Sequence, residues 1–283
     1  MSLTTPATTY LFVPGNRPER FAKALASGAD RVIIDLEDAV APADKDKARQ
    51  CVSQGLLDLF AQQPEGASQQ TLGRLVLRIN DGATPWYADD LTLAKESKFP
   101  CVMLPKCEST SQIADLRTSL DTSTKVIALV ETARGMLALK DIAQAPGVER
   151  LAFGSLDYMV DLDLPNNSLA LDVAAVQMAV ASRAAGLACP LAGVTPDLDP
   201  ARVQTDMAHA RSLGLLAKMC IHPSQVAAVK AALAPSAEEL AWAQRVLALQ
   251  AGHGSSAFQM DGKMVDRPVL LKAERIVALA THS

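Results

Sequence analysis

Paired cysteines and clustered histidines are missing from this chain. The five cysteines are odd in number and form no Cys-x-x-Cys pair, and the four histidines form no His-x-x-x-His pair. This pattern excludes a disulfide framework and a cysteine-based zinc site. It does not favour any other soft metal ion, so a bound metal would have to be a hard cation with oxygen ligands.

Aromatic residues and an excess of positive charge are also lacking. Aromatic residues make up 4% of the chain, whereas hydrophobic residues make up 49%. We therefore expect a core of alanine, valine, leucine and isoleucine, which is typical of packed helices and parallel strands. The net charge is −4 and no long basic tract occurs, which excludes a nucleic-acid partner. An anionic substrate would have to be bound by local cations.

Long apolar runs are absent as well. No run reaches the roughly 18 residues that indicate a membrane-spanning helix. The amino-terminal sequence Met-Ser-Leu-Thr-Thr-Pro has neither the charged segment nor the apolar segment of a secretory signal peptide. We therefore expect a cytoplasmic protein without a membrane partner.

What the chain does contain is a regular alternation of apolar runs and helical patterns. The runs that predict strands cover residues 10–13, 31–36, 74–79, 101–104, 125–130, 149–156, 187–194 and 215–221. The segments that predict helices cover residues 18–26, 44–60, 86–96, 109–120, 133–145, 168–185, 200–213 and 224–233. Each strand–helix unit needs a parallel neighbour, reached through a right-handed crossover.

Eight such units are the number that closes a (β/α)8 TIM barrel, and this α/β fold is our prediction for residues 1–235. The competing fold is a doubly wound open sheet, but no Gly-x-Gly-x-x-Gly motif opens a helix here. Residues 236–283 predict a C-terminal helical extension, with helices over 237–250 and 269–281 and a flexible glycine-rich link over 252–256. A barrel does not need this extension, so we expect a lid or an oligomer contact.

Two carboxylates follow neighbouring apolar runs. Glu131 comes directly after residues 126–130, and Asp157 comes directly after residues 151–156. Strands of a barrel end where its active-site loops converge, so two such carboxylates are plausible ligands for Mg²⁺. The alternative is that each is a helix-start carboxylate that interacts with the helix dipole.

Other predicted strands also end in polar or charged groups, which include Glu37, Asp38, Arg78, Lys106 and His222. An arginine that leaves an apolar strand is costly unless it contacts an anion, so Arg78 predicts either a substrate contact or a structural salt bridge within the barrel. Lys106 would be able to form a Schiff base only if its pKa were lowered.

Motifs along nearly the whole chain resemble one family. They are Leu-Phe-Val-Pro-Gly-Asn-Arg-Pro-Glu-Arg-Phe (11–21), Asp-Leu-Glu-Asp-Ala-Val (35–40), Leu-Arg-Ile-Asn (77–80), Leu-Pro-Lys (104–106), Glu-Thr-Ala-Arg-Gly (131–135), Phe-Gly-Ser-Leu-Asp (153–157), Ile-His-Pro-Ser-Gln (221–225) and Gly-Lys-Met-Val-Asp-Arg-Pro (262–268). In these motifs the chain is similar to the citrate lyase β-subunit-like family of CoA-ester lyases, within the HpcH/HpaI aldolase group. One departure is Thr8-Thr9 where the family often has Arg-Ser, which bears on fine substrate preference.

The resemblance implies that Glu131 and Asp157 bind Mg²⁺, or Mn²⁺ in its place. Glu37 and Asp38 would hold metal-bound waters, with an N-cap role before Pro42 as the alternative. Arg78 would contact a substrate oxygen and stabilise an enolate.

The resemblance also implies that Phe12, Arg17 and Lys23 contact the CoA moiety, although Lys23 has an equally good interpretation as a solvated surface charge. Ile221 and His222 would lie against CoA or the substrate. A buried, hydrogen-bonded structural role is the alternative for His222.

In this family the aspartate that matches Asp266 reaches into the active site of a neighbouring subunit as the acid/base. The alternative for Asp266 is an N-cap of the last helix, and the two roles are compatible. The resemblance thus implies a homotrimer, or a hexamer of two trimers.

The implied reaction is Mg²⁺-dependent, reversible cleavage of malyl-CoA or citramalyl-CoA into acetyl-CoA and glyoxylate or pyruvate. Two other functions stay open. One is a metal-dependent aldolase of free hydroxy acids, and the other is a citrate lyase-type subunit that acts on a thioester carried by an acyl carrier protein.

Overall fold

The structure is a computed structural model, and it describes residues 7–64, 66–165, 168–253 and 257–280. The chain divides into two compact units between Val229 and Lys230, a few residues before the predicted boundary at residue 235. None of the helices in the described part of the chain has the length and hydropathy that a bilayer crossing requires.

The first unit is a closed barrel of parallel strands in the order β1 to β8. The strands are β1 Thr9–Pro14, β2 Arg31–Asp35, β3 Leu75–Arg78, β4 Cys101–Leu104, β5 Lys125–Val130, β6 Val148–Phe153, β7 Leu191–Ala192 and β8 Ala217–Cys220. Neighbouring strands are sequential, and β1 pairs with β8 to close the ring. The predicted TIM barrel is confirmed.

Alternate residues of each strand fill the inside of the barrel, as the two-residue period of a strand requires. The buried interior residues are Tyr10, Ile33, Val76, Cys101, Met103, Ile127, Leu129, Ala152, Leu191, Ala217 and Met219. Counting two residues onward along β1, β2, β3 and β5 brings Phe12, Asp35, Arg78 and Glu131 to the inner side at the carboxyl ends. The same alternation that builds the core therefore assembles the mouth.

Helices surround the barrel strands. They are α1 Phe21–Ala26, α2 Lys45–Ala61, α3 Ala67–Leu72, α4 Tyr87–Glu96, α5 Thr110–Ser119, α6 Ala133–Leu137, α7 Leu139–Gln144, α8 Ser155–Asp161, α9 Leu169–Ala184, α10 Pro200–Ser212 and α11 Pro223–Leu233. The start of α5 has a complete capping box. The Ser109 side chain accepts a hydrogen bond from the Gln112 backbone N–H, and the Gln112 side chain accepts one from the Ser109 backbone N–H.

Three local predictions were wrong, and two short helices were not predicted. Strand β6 ends at Phe153 rather than at residue 156, and a short helix, α8, begins at Ser155. Strand β7 has only two residues, and the Lys218 ammonium donates to the Gly193 carbonyl beside it at 2.6 Å. The helix predicted over 133–145 is divided at Ala138 into α6 and α7, and α3 was not predicted at all.

The second unit contains the last helices, α12 Ala237–His253 and α13 Arg267–Ala280, and a hairpin formed by β9 Phe258–Met260 and β10 Lys263–Val265. The hairpin turns at Asp261-Gly262, and both residues have positive φ, as a tight two-residue turn requires. Its core comprises Ala243, Val246, Phe258, Met260, Val265, Ala273 and Ile276.

The predicted glycine-rich link was partly wrong, because Gly252 and His253 belong to α12. Residues 254–256 of that link, and Thr281 of the last predicted helix, lie outside the described residues. A role of this unit as a lid or an oligomer contact stays a prediction.

Candidate active site at the carboxyl ends of the strands

Arg78 is the centre of a charged cluster at the mouth of the barrel. The parallel register places Asp35 of β2 beside Arg78 of β3. Both oxygens of Asp35 accept hydrogen bonds from the guanidinium, from Nε and from Nη2, each at 2.7 Å. Arg78 Nη1 lies 2.9 Å from Glu37 Oε2 and 3.3 Å from Asp38 Oδ2. The salt bridge that we gave as the alternative for Arg78 therefore exists, and its main partner, Asp35, was not predicted.

The bidentate contact to Asp35 uses Nε and Nη2 of Arg78, and Nη1 lies against Glu37 and Asp38. Burial alone would lower the pKa of Arg78, but the Asp35 carboxylate and then Glu37 raise it above its usual value. The guanidinium is therefore a permanent cation. The guanidinium also lies over the ring of Phe12, with Cζ 4.7 Å from the ring centroid, which is a cation–π contact.

Glu37 is a buried carboxyl whose pKa is raised above its ordinary value. Burial raises its pKa to about 8, Arg78 opposes this shift, and Asp38 and Glu131 add to it. Its Oε2 atom forms an ion pair with Arg78 Nη1 at 2.9 Å but has no hydrogen-bond partner. A buried oxygen without a partner is costly unless a ligand satisfies it.

Asp38, by contrast, is exposed, with 69% of its side chain accessible. The alternative role of Glu37 and Asp38 as N-caps before Pro42 was wrong. The residue at the cap position of the 3₁₀ turn Pro42–Asp44 is Ala41, and no side chain caps it.

Glu131 follows the last residue of β5 and is buried, with 3% of its surface exposed. Its Oε1 atom accepts a hydrogen bond from the backbone N–H of Lys106 at 2.8 Å. Burial raises the pKa of Glu131 to about 7, the Lys106 amide opposes this, and Asp157 raises it further. A Cβ atom on Gly154 would overlap both Oε2 and Cβ of Glu131, so this position accepts only glycine beside the carboxylate.

The alternative interpretation of Glu131 as a helix-start carboxylate stays open, because Glu131 directly precedes the N-cap of α6. The N-cap of α6 is Thr132, whose hydroxyl accepts from the Gly135 backbone N–H at 3.1 Å. Glu131 is therefore free of a helix-capping role and faces the inner side of the barrel mouth.

We predicted Asp157 at the end of a strand, and this was wrong, because β6 stops at Phe153. It lies in the first turn of α8 and is exposed. This is the helix-start position of the alternative interpretation, although the N-cap of α8 is Gly154 and the Asp157 side chain is not the cap. Its negative charge contributes to the raised pKa of Glu131.

The donor chemistry of these residues suits a hard cation. Among the described residues, no group of three or more His, Cys, Asp or Glu side chains has the geometry of a metal site by itself. Mg²⁺ does not need such a group, because it takes one or two carboxylates and completes its shell with water and substrate oxygens. The carboxylates of Glu131 and Asp157 are oxygen donors of the kind that this ion takes.

The predicted CoA contacts are spread around the start of the chain. Phe12 is half-buried at the inner side of β1. Arg17 follows β1 and is exposed, and its Nε atom donates to Glu19 Oε1 at 2.6 Å. Lys23 is exposed on α1. Both cations are therefore exposed to solvent in the segment that follows β1, and Arg17 is paired with Glu19.

Ile221 and His222 lie between β8 and α11. Ile221 is 43% exposed, and its backbone N–H donates to Gln225 Oε1 at 2.9 Å. The interpretation of His222 as a buried residue was wrong, because it is exposed. Its Nδ1 atom is 2.7 Å from Ser224 Oγ and accepts from the Ser224 backbone N–H, so it acts as the cap of α11.

Lys106 reaches the site through its backbone. Its φ of 44° is in the left-handed region that most residues avoid, and its amide is the donor to Glu131. Its side chain is exposed.

Thr8 and Thr9 lie at the amino end of β1, opposite the mouth, where both backbone amides donate to Asp30 Oδ2. The departure from the family pattern therefore lies at the opposite end of β1 from the mouth, and its effect on substrate preference stays a prediction.

Asp266 precedes the first residue of α13, and its Oδ1 atom accepts from the Val269 backbone N–H at 3.3 Å. The alternative N-cap role is therefore confirmed. The side chain is half-buried and keeps its second oxygen for other contacts. Its predicted catalytic role stays a prediction.

The fold and the cluster together define a class of protein: a TIM-barrel enzyme whose arginine and carboxylates meet at the carboxyl ends of the strands. The family model described as HpcH/HpaI aldolase/citrate lyase matches residues 8–223. A second model, described as a carbon–carbon bond lyase of the TIM-barrel fold, matches residues 195–282. The chain belongs to the HpcH/HpaI aldolase/citrate lyase family, and it is a carbon–carbon lyase.

Similar proteins are known along the whole length of the chain. A citrate lyase subunit β-like protein of Mycobacterium tuberculosis is 39% identical, over 99% of this chain and 98% of that protein. The mitochondrial citramalyl-CoA lyase of Homo sapiens is 29% identical, over 98% of this chain and 86% of that protein. The crystal structure of CitE from Mycobacterium tuberculosis in complex with magnesium, acetoacetate and coenzyme A matches with a TM-score of 0.84 and 36% identity, over 98% of this chain and 99% of that chain.

Proposed function

We propose that this protein is a Mg²⁺-dependent lyase that reversibly cleaves the carbon–carbon bond of a 3-hydroxyacyl-CoA of the malyl-CoA or citramalyl-CoA type. The observation that carries the proposal is the cluster at the mouth. A guanidinium fixed by Asp35 lies beside Glu37, whose buried Oε2 atom has no hydrogen-bond partner. Magnesium and coenzyme A in the similar CitE structure support the choice of cofactor and thioester.

Glu131 and Asp157 would hold the metal ion. When bound, Mg²⁺ supplies a Lewis acid that polarises the oxygen atoms of the hydroxy acid portion of the substrate. Glu131 is oriented for this role by the Lys106 amide and by the close approach of Gly154.

In the cleavage direction, the substrate hydroxyl loses its proton and becomes the carbonyl of the 2-oxo acid. The electron pair of the broken carbon–carbon bond moves onto the thioester and forms an enolate. Glu37 is the proposed base for the hydroxyl proton, because it lies at the mouth beside Arg78. Burial raises its pKa to about 8, so its carboxylate form is a stronger base than an ordinary glutamate. Arg78 is the proposed donor to the enolate oxygen, because its charge is permanent and its geometry is fixed in advance.

A second proton completes the reaction by adding to the enolate carbon, which yields acetyl-CoA. We assign its delivery to Asp266 of a neighbouring subunit, on the basis of the family resemblance. This assignment requires an assembly such as a homotrimer or a hexamer, in which the second unit of one copy completes the site of another. The N-cap bond uses one oxygen of Asp266 and leaves the other for the substrate.

The choice between malyl-CoA and citramalyl-CoA depends on one methyl group. A pocket discriminates such a difference by about 1–3 kcal/mol. Both are therefore substrates in this proposal, with different catalytic efficiencies.

Titration with CoA separates the lyase from an aldolase of free hydroxy acids. We expect calorimetry to show binding of CoA, with Kd about tenfold higher for Arg17→Gln, because the variant loses one charge-assisted contact to phosphate. Arg202→Gln is the matched control, since Arg202 is also an exposed arginine paired with a carboxylate. A protein that does not bind CoA, but cleaves free hydroxy acids, would contradict the proposal.

A further inference from the structure

The segment that carries Glu37 and Asp38 is held on one side by Asp35. This carboxylate is almost completely buried. Besides its two bonds to Arg78, it accepts hydrogen bonds from the backbone N–H groups of Glu37 at 2.9 Å and Ala39 at 3.1 Å. Asp35 therefore joins the first part of the segment between β2 and α2 to the arginine of the site.

The other side of the same segment is held by Lys45, the first residue of α2. Its side chain is buried, and its ammonium donates to the carbonyls of Leu36 and Glu37 and to Asn80 Oδ1, each at 2.7 Å. An ammonium has three donors, and all three are used. The ring of Trp86 covers the group at 5.1 Å.

Asn80 connects this ammonium to the outer helices. Its Nδ2 atom donates to Leu36 O and to Asp90 Oδ2, and its backbone N–H donates to the same Asp90 oxygen at 2.8 Å. Asp90 is fully buried and lies 3.0 Å from Arg49 Nη1 of α2. The network thus runs from α2 and α4 to the segments that follow β2 and β3, immediately behind Glu37 and Arg78.

Such a network is expensive to bury. Burial removes the water that hydrates the ammonium, which costs free energy. A protein with an apolar side chain of similar size at such a position is often equally stable. Burial accordingly lowers the pKa of Lys45, while Asp35 and Glu37 act against that shift. A satisfied buried network fixes one geometry of the backbone that it contacts, and the backbone contacted here is that of Glu37.

We propose that Lys45 is a positioning residue, which fixes the Glu37 backbone and, through Asn80, the end of β3, so that Glu37 and Arg78 keep the geometry that cleavage requires. The inference rests on the proposed function for the roles of Glu37 and Arg78. It does not give Lys45 any contact with the substrate, since all its donors are used within the protein.

The test is Lys45→Met, which keeps the length of the side chain and removes the donors. We expect kcat to fall by about 10²-fold, because small displacements of positioned groups have effects of this size, while KM for the acyl-CoA stays within about threefold. Arg74→Met is the matched control. Arg74 also donates to three backbone carbonyls, those of Leu25, Ala29 and Asp30, but at the amino end of the barrel, so we expect kcat close to that of the wild type.

Hydrogen exchange gives a readout that does not need a substrate. Lys45→Met should increase amide exchange in residues 36–44, and Arg74→Met should leave that segment protected. If Lys45→Met does not fold, Asn80→Ala removes one of the three acceptors, and we expect the same exchange change with a kcat about tenfold lower.

Unchanged exchange in residues 36–44, or unchanged kcat despite increased exchange, would overturn the inference. A rise in KM with kcat preserved would also overturn it, because that result would indicate a binding role. If the wild-type protein cleaves no acyl-CoA, the proposed function fails separately, and the exchange result still decides whether Lys45 fixes the segment.

Discussion

Addition of EDTA should reduce turnover of the wild-type protein to the background rate, and Mg²⁺ or Mn²⁺ should restore it. The reason is that the carbonyl formed during cleavage needs an electrophile, and the mouth offers Glu131 and Asp157 as oxygen ligands for a hard cation. Full activity in EDTA, together with borohydride trapping of substrate on Lys106, would replace the metal mechanism with a Schiff base.

Glu131→Gln should have the same effect on turnover without unfolding the protein. Burial raises the pKa of Glu131 from 4.5 to about 7, so the folded state favours the protonated carboxyl. The resulting stability is complete below the ordinary pKa and is lost as the pH rises through about 7. Above this pH in EDTA, the variant should therefore melt at the same temperature as the wild type or a few degrees higher.

Glu149→Gln serves as the control for this substitution. Glu149 is a partly buried carboxylate in β6 near Arg31, at the amino end of the barrel. We expect it to retain activity. A strongly destabilised Glu131→Gln would show that this carboxylate serves the fold, which would contradict its assignment to the metal.

Asp266→Asn should nearly abolish turnover while CoA binding and assembly stay intact. The substitution removes a proton donor but keeps the shape of the side chain, and asparagine is as good an N-cap as aspartate. The cap to Val269 should therefore survive. An unimpaired Asp266→Asn would reject the catalytic role and leave the cap as its only function.

Two inactive variants should also restore each other if every site is shared between subunits. Glu131→Gln subunits supply an intact second unit, and Asp266→Asn subunits supply an intact barrel. In an equal mixture, each half of a site is wild type with probability about one half, so about a quarter of the sites should work. The variants are denatured and refolded together before the assay. No recovery, with mixed oligomers shown by mass spectrometry, would contradict a shared site.

Much of the barrel could be predicted from the sequence, because parallel strands buried on both faces appear as short apolar runs. The extent of strand β7 could not, since its predicted eight-residue run contains Pro190 and Gly193 and only Leu191–Ala192 pair with neighbours. Helix α8 was not predicted because its start has the same apolar pattern as the strand before it. Its first residues, Ser155 and Leu156, continue the apolar run of β6, and periodicity over so few residues does not distinguish a helix from a strand.

The charged groups of the site divide in a similar way. Glu131 and Arg78 follow apolar runs and were therefore visible as strand ends. Asp35 was missed, although it lies two residues after Ile33 and so on the inner side of the barrel by simple alternation. Lys45 gave no signal, because a lysine at the start of a helix is ordinarily solvated, and its burial depends on contacts with residues 35 positions away.

Product analysis of acyl-CoA cleavage tests the proposed function most directly. The purified protein is incubated with malyl-CoA and, separately, citramalyl-CoA in the presence of Mg²⁺, and the products are identified by mass spectrometry. We expect acetyl-CoA together with an equal amount of glyoxylate or pyruvate, and no formation without the metal. Release of free CoA and the intact hydroxy acid would show cleavage of the thioester instead of the carbon–carbon bond. That result, or complete inactivity on both thioesters, would contradict the proposed lyase.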